Sequence, residues 1–465
     1  MPFLNPANLV KSINLYPSGE YSYSIELVIQ GDTVLNVHHP DASKADIVLS
    51  LEQLKQTLPN VEYINVMLYW FSTSVDITKA RIIPKVEFHD NILPWNVAGY
   101  TRDSAEEVLR NDKGELNYGG TPTDKSILDV CQWIKGQGYK VMFSPIIMVD
   151  NIDKSWRGSM KPEGHRADKI SSIIDDFFND RQTGYNKFIL HYAELLKGSV
   201  NIFSIGNELK SLTFIQNQYL QFPAVKQLIS LAAQTKEIMG LDVKLTYMAN
   251  WGEYHHADGG IYHLDPLWSN ANIDLVAMSV SYPLTDDLEQ SKITCRDIKE
   301  GWKGKEGWDY YKSGVEKVSF DDPTWAWKNF QHWWNSEHIS NEYQTDWTPK
   351  MKAFIIEYGF ASISEISNGP SEFYNYNSPR TDYQAQSLAI AASELYFAEL
   401  NSEEPDLVPQ RFVSHWDSRP FPYYPGFCHA WTDCYQWEKN TALNGKIGNF
   451  TVDVTGCLNS DEYDL

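Results

Sequence analysis

Residues 200–208 read VNIFSIGNE, an apolar run that ends on an Asn-Glu pair. A strand with one wet face alternates polar and apolar residues. A continuous apolar run marks a strand buried on both faces, as in a parallel sheet covered by helices. Runs of the same kind recur at 61–71 (VEYINVMLYWF), 139–150 (YKVMFSPIIMVD), 243–251 (VKLTYMANW), 273–283 (IDLVAMSVSYP), 351–359 (MKAFIIEYG) and 411–417 (RFVSHWD). With the alternating YSYSIELVI of 21–29 as the first strand, they make eight.

Helical patterns lie between these runs. Residues 123–138 open on a Thr suited to cap a helix and close near Gly, and 184–198 and 222–240 end in Gly as well. Residues 383–401 repeat the pattern before the last strand. Strand and helix in eightfold alternation predict an α/β fold, a (β/α)8 TIM barrel with long βα loops. No internal repeat is present, so one large domain is expected over 51–420. Residues 1–50 read as an N-terminal extension that supplies the first barrel strand. Residues 72–122, rich in Gly, Pro and Asn, read as a long loop. Residues 284–350 carry seven tryptophans and read as an aromatic-rich insertion, and 421–465 as a C-terminal aromatic and Pro-rich segment.

The 465 residues carry 39 Lys and Arg against 61 Asp and Glu, a formal charge of −22. Clustered cations are what phosphate backbones and anionic membranes require, so nucleic acid is excluded as a partner and a neutral sugar fits better. No apolar run is long enough to span a bilayer. The N-terminus lacks the apolar core of a signal peptide, which predicts synthesis in the cytoplasm without classical export. The five cysteines are sparse and odd in number, so unpaired thiols are expected, with Cys428 and Cys434 the pair best placed to bridge.

In such barrels chemistry sits where strands end in loops. Two glutamates close apolar runs, Glu208 on the fourth strand and Glu357 on the seventh, and so face one mouth. Two carboxyl groups flanking a bond are the requirement of glycoside hydrolysis. Retention needs them about 5–5.5 Å apart, one protonated to donate to the leaving oxygen and one ionised to attack. This reading makes Glu208 the acid/base and Glu357 the nucleophile. The competing reading of a strand-end Glu is a helix cap or an arginine partner.

Asn207 is placed to bond a sugar 2-hydroxyl, and Tyr282 to orient Glu357. Trp70, Trp251, Trp416 and Trp431 are candidates to stack on sugar faces, since an indole offers apolar area and a polar N–H. Asn250 is a further candidate to hold substrate, and Asp150, Arg157, Asp417 and Arg419 are second-tier candidates that suit salt bridges holding the loops better than substrate contacts. His255, His256 and His263 lie close in sequence but lack a metal-ligand pattern, and neither a P-loop nor a G-x-S-x-G elbow occurs. No metal or cofactor is expected.

Several stretches are more specific than barrel periodicity. YGGTPTDKSI (118–127), SIGNELKSLT (204–213), ANWGEYHHADGG (249–260), YHLDPLWSNANIDLVAMS (262–279), FIIEYGFAS (354–362) and WDSRPFPYYP (416–425) stand out. In them the chain resembles, over about residues 50–450, the glycoside-hydrolase TIM-barrel-like domain of the tail-tip (baseplate hub) protein of gene transfer agents and related siphophages. The resemblance implies a barrel related to retaining glycosidases, with catalytic carboxylates at Glu208 and Glu357. It also implies a peptidoglycan-type or envelope glycan as substrate, other phage-tail-like proteins as partners and a place in a tail particle. The alternative it leaves is an inactive structural or sugar-binding tail component. The family commonly has Thr-Glu-Leu-Gly-Cys-Pro-Ala around the second carboxylate, where this chain reads Ile356-Glu357-Tyr358-Gly359-Phe360-Ala361-Ser362.

Overall fold

The computed structural model describes residues 3–41, 43–89, 93–313, 316–320, 322–338, 347–370, 380–405, 407–419 and 435–458. Eight parallel strands close on themselves: β1 Ser12–Tyr16, β2 Tyr63–Ser72, β3 Lys140–Val149, β4 Ile202–Asn207, β5 Lys244–Asn250, β6 Val276–Val280, β7 Phe354–Gly359 and β8 Gln410–Asp417. Each pairs with the next, and β8 returns to β1 through Phe412–Ser12 and Val413–Ile13. The fold is a (β/α)8 TIM barrel with long βα loops.

The first strand is Ser12–Tyr16, not 21–29. Tyr23 produces the misleading alternation: its ring is buried, and its hydroxyl donates to the carbonyls of Leu15 and Met67. The segment pairs with no barrel strand.

Six strands in a row, β3 to β8, each supply one side chain (Met142, Ile202, Met248, Ala277, Ile355, Phe412) to an apolar cluster of its own. The larger core lies between the strands and the helices around them. Those helices include Asp124–Gly136, capped by Thr123, as well as Tyr185–Leu195, Pro223–Met239 and Tyr383–Glu403, the last capped by Asp382. The sequence reading passed over two more, Asp46–Thr57 and Ala167–Asn179.

The insertion between β6 and β7 is built into the body. Trp302 stacks on Tyr396 at 5.4 Å, and its indole donates to Ser393 Oγ. Lys328 is fully buried, and its ammonium donates to the carbonyls of Pro283, Gly301 and Gly304, tying the insertion to the loop after β6. Burial lowers its pKa to about 7.

Cys295 and Cys457 form a disulfide, a correction to the expectation of unpaired thiols. Their sequence separation of 162 hid the pair from spacing arguments. Cys131 is a buried free thiol, and Cys428 and Cys434 lie outside the described residues. Beside this bond, Phe3–Leu4 pairs antiparallel with Val452–Asp453.

Candidate active site

Glu208 follows an irregular strand end, while Glu357 lies inside β7 in regular register with β6 and β8, next to the irregular β8–β1 pair. The β4–β5 register shifts between Ser204 and Asn207, and the β8–β1 register shifts between Val413 and Trp416. Bulges of this kind re-aim side chains at barrel rims. Glu208 itself has φ +49°, a left-handed conformation that costs a non-glycine residue on the order of 1–2 kcal/mol. Such strain persists only where the surroundings hold it. Here Glu208 N donates to Met248 O at 2.8 Å and Leu209 N to the Tyr247 hydroxyl at 2.7 Å.

The Glu208 carboxylate is buried and fully engaged. Oε1 accepts from Asn250 Nδ2 at 3.1 Å. Oε2 accepts from Trp156 Nε1 at 3.0 Å and from Arg157 Nη2 at 2.7 Å. The same guanidinium reaches back to Asn207 Oδ1 through Nε at 2.9 Å. That fixes the Asn207 amide with Nδ2 turned away, buried and without a hydrogen-bond partner among the described residues.

Glu357 sits in β7, 8% exposed. Its Oε1 accepts from Ser414 Oγ at 3.1 Å and, at 3.4 Å, from the Tyr16 hydroxyl. Burial pushes its pKa up to about 6, and the negative charge of Glu208 adds to the rise. Arg157, Ser414 and Tyr16 pull the other way. The two carboxylates therefore feel each other across one mouth, with Arg157 acting on both. His415 packs on the Tyr16 ring at 4.6 Å, its Nε2 3.1 Å from Asp417 Oδ1.

Asn207, Asn250, Glu208 and Glu357 thus come together. Trp251 stands nearby, half-buried between Tyr282 (4.9 Å) and Trp327 (5.3 Å). Other candidates fall elsewhere. Trp70 is 0% exposed, stacked on Phe188 with its indole on the Tyr192 hydroxyl, because it points out of the barrel into the helical layer. Trp416 is buried too, its N–H on Ser50 and Lys446 over its ring. Asp150 pairs with Lys85 at 2.8 Å and accepts from Leu109 N, which ties a loop down. The Tyr282 hydroxyl donates to Trp327 O, so Tyr16 and Ser414 orient Glu357 instead. Asp417 holds His415, and Trp431 lies outside the described residues.

Sequence reasoning missed Tyr16, Trp156 and Ser414. Tyr16 closes β1, a signal obscured by the misplaced first strand, and Ser414 lies within β8 opposite Gly359 of β7. Among the described residues no three His, Cys, Asp or Glu side chains gather as metal ligands.

The chain is similar to solved glycoside hydrolases. A GH113 β-mannanase from Alicyclobacillus acidocaldarius is 13% identical, with 94% of this chain and 98% of that chain covered and a TM-score of 0.49. A second GH113 β-1,4-mannanase structure gives 12%, 94% and 99%, with a TM-score of 0.47. The GH53 catalytic domain from Ignisphaera aggregans gives 13%, 90% and 88%, with 0.37. No curated protein matches the chain. The pattern of one family covers residues 183–425, more than half of the chain and the segment that carries both glutamates. The chain belongs to the family described as the GTA TIM-barrel-like domain.

Proposed function

We propose that this protein is a retaining glycoside hydrolase acting on a cell-wall, peptidoglycan-type or envelope glycan, as part of a phage-like tail tip. The observation that carries the enzymatic reading is the pair of buried, electrostatically coupled carboxylates, one just after β4 and one within β7. Glu357, ionised at neutral pH with a pKa of about 6, attacks the anomeric carbon. Glu208, which must first take up a proton in place of its Arg157 contact, gives that proton to the departing oxygen, and a glycosyl ester forms on Glu357. Glu208 then takes a proton from water, whose oxygen attacks the anomeric carbon and releases Glu357. In this reading Asn207, whose buried Nδ2 has no hydrogen-bond partner among the described residues, donates to the sugar 2-hydroxyl, a contact that strengthens as charge develops. The glycan class and the tail setting rest on the family resemblance.

One observation favours a second reading, a sugar-binding or structural tail component. Oε2 of Glu208 already holds two donors, Trp156 and Arg157, so one must yield before it can face a glycosidic oxygen. The test is release of reducing ends from peptidoglycan and from a broad panel of β-glycosides. Glu357→Gln and Glu208→Gln are expected to abolish turnover while glycan binding persists. No turnover by the unaltered protein on any substrate, with binding unchanged in both variants, selects the second reading.

A further inference from the structure

Glu253 lies in the loop after β5, 0% exposed, and does not touch Glu208. Its polar partners are all donors: Thr213 Oγ1 and the Tyr247 hydroxyl on Oε1, at 2.7 and 2.8 Å, and Asn250 N on Oε2 at 2.9 Å. Two of these lead back to the same place. Tyr247 accepts from Leu209 N, the residue bonded to Glu208, and Asn250 donates through its side chain to Glu208 Oε1. The Asn250 amide is turned that way because its Oδ1 accepts from Gly252 N at 3.0 Å.

The bonds close a ring. It runs from Glu208 Oε1 through Asn250, Glu253 and Tyr247 to Leu209, and back along the chain to Glu208. The ring ties the side chain of Glu208 to its own strained backbone, and Glu253 is where its two arms meet.

We infer that Glu253 is a positioning residue for Glu208, the buried acceptor that sets the direction of its carboxylate in the mouth. This rests on the reading of Glu208 as a catalytic group but needs no particular substrate. A carboxylate with three neutral donors and no cation at hydrogen-bond distance among the described residues is costly to bury. Burial pushes its pKa up to about 7; the three donors oppose the rise and the charge of Glu208 adds to it. The charged or titratable groups facing it are Glu208, Lys210, Tyr247 and Tyr185. A stability role alone would be met more cheaply by an apolar side chain.

The test uses Glu253→Gln, which turns one acceptor into a donor, and Tyr247→Phe, which cuts the ring at Leu209 and keeps the ring volume. Carboxyl titrations by carbon-13 NMR, assigned with Glu208→Gln and Glu357→Gln, need no substrate. In both variants, folded by circular dichroism, the Glu357 midpoint, which feels the Glu208 carboxylate, is expected to move by about half a unit or more. The double variant is expected to move no further than one of them, as members of one ring do. On any glycan the protein cleaves, kcat should fall about tenfold or more with KM little changed. Folded variants with unmoved titrations overturn the inference, and so does loss of folding in both, which would make the ring purely structural. Moved titrations in a protein that cleaves nothing would leave the positioning role standing while the hydrolase reading falls.

Discussion

Arg157 Nη2 lies 2.7 Å from Glu208 Oε2, and the same guanidinium pulls the Glu357 pKa down. One cation thus occupies the proposed acid and eases ionisation of the proposed nucleophile. Arg157→Gln should raise the Glu357 pKa above about 6, since it removes the opposing charge. Because the nucleophile must be ionised, the acid limb of the activity profile should move to higher pH. An unmoved acid limb in a folded variant would separate Arg157 from Glu357.

Ser414 and Tyr16 both donate to Glu357 Oε1, at 3.1 and 3.4 Å. A hydrogen bond to a charged group is worth about 1.5 kcal/mol or more, roughly tenfold in rate if it acts in the transition state. Ser414→Ala should lower kcat by about that factor, and Tyr16→Phe by less, because its bond is longer. Steady-state kinetics on a cleaved glycoside would read the order directly.

The raised Glu357 pKa has a thermodynamic side. Folded Glu357 binds its proton more tightly than the unfolded chain does, at about 6 against 4.5. The proton therefore stabilises the fold. That contribution is present in full below about pH 4.5 and lost as pH rises through 6, and amounts to about 2 kcal/mol. Glu357→Gln has no proton to lose. Its Tm relative to the unaltered protein should therefore be higher at pH 7 than at pH 4, as calorimetry at the two values would show.

The Cys295–Cys457 bond closes a loop of 162 residues. On the loop-entropy view such a crosslink is worth about 5 kcal/mol. Cys457→Ser should lower Tm, and reductant should lower it in the unaltered protein but not in the variant. Equal Tm values with and without reductant in the unaltered protein would count against the bond.

Much of this architecture was legible because buried parallel strands carry a strong signature. The runs ending at Glu208 and Glu357 are largely apolar without alternation. The first strand was not legible, since Ser12–Tyr16 is short and polar at its start while Tyr23 mimics alternation nearby. Candidate site residues divided along the same line. Glu208, Glu357, Asn207 and Asn250 follow from strand ends. Trp70 and Trp416 did not, because whether a strand residue faces the mouth or the helical layer depends on register, which one residue inverts. Trp156 comes from a loop whose path only tertiary contacts decide, and Arg157, read as a salt-bridge candidate, found its partner in the proposed acid itself.

The disulfide also decides how the molecule would carry a mechanical load. Tension applied beyond Cys457 passes through the sulfurs to Cys295 and bypasses everything between them, including β7 with Glu357 and β8 with Ser414. The chain so shielded would span roughly 550 Å if drawn out, at about 3.4 Å per residue over the 162 residues of the loop. Two of the eight barrel strands, with one of the two facing carboxylates, are thereby insulated from a pull on the ends, and only reduction of one bond would bring them into the line of force.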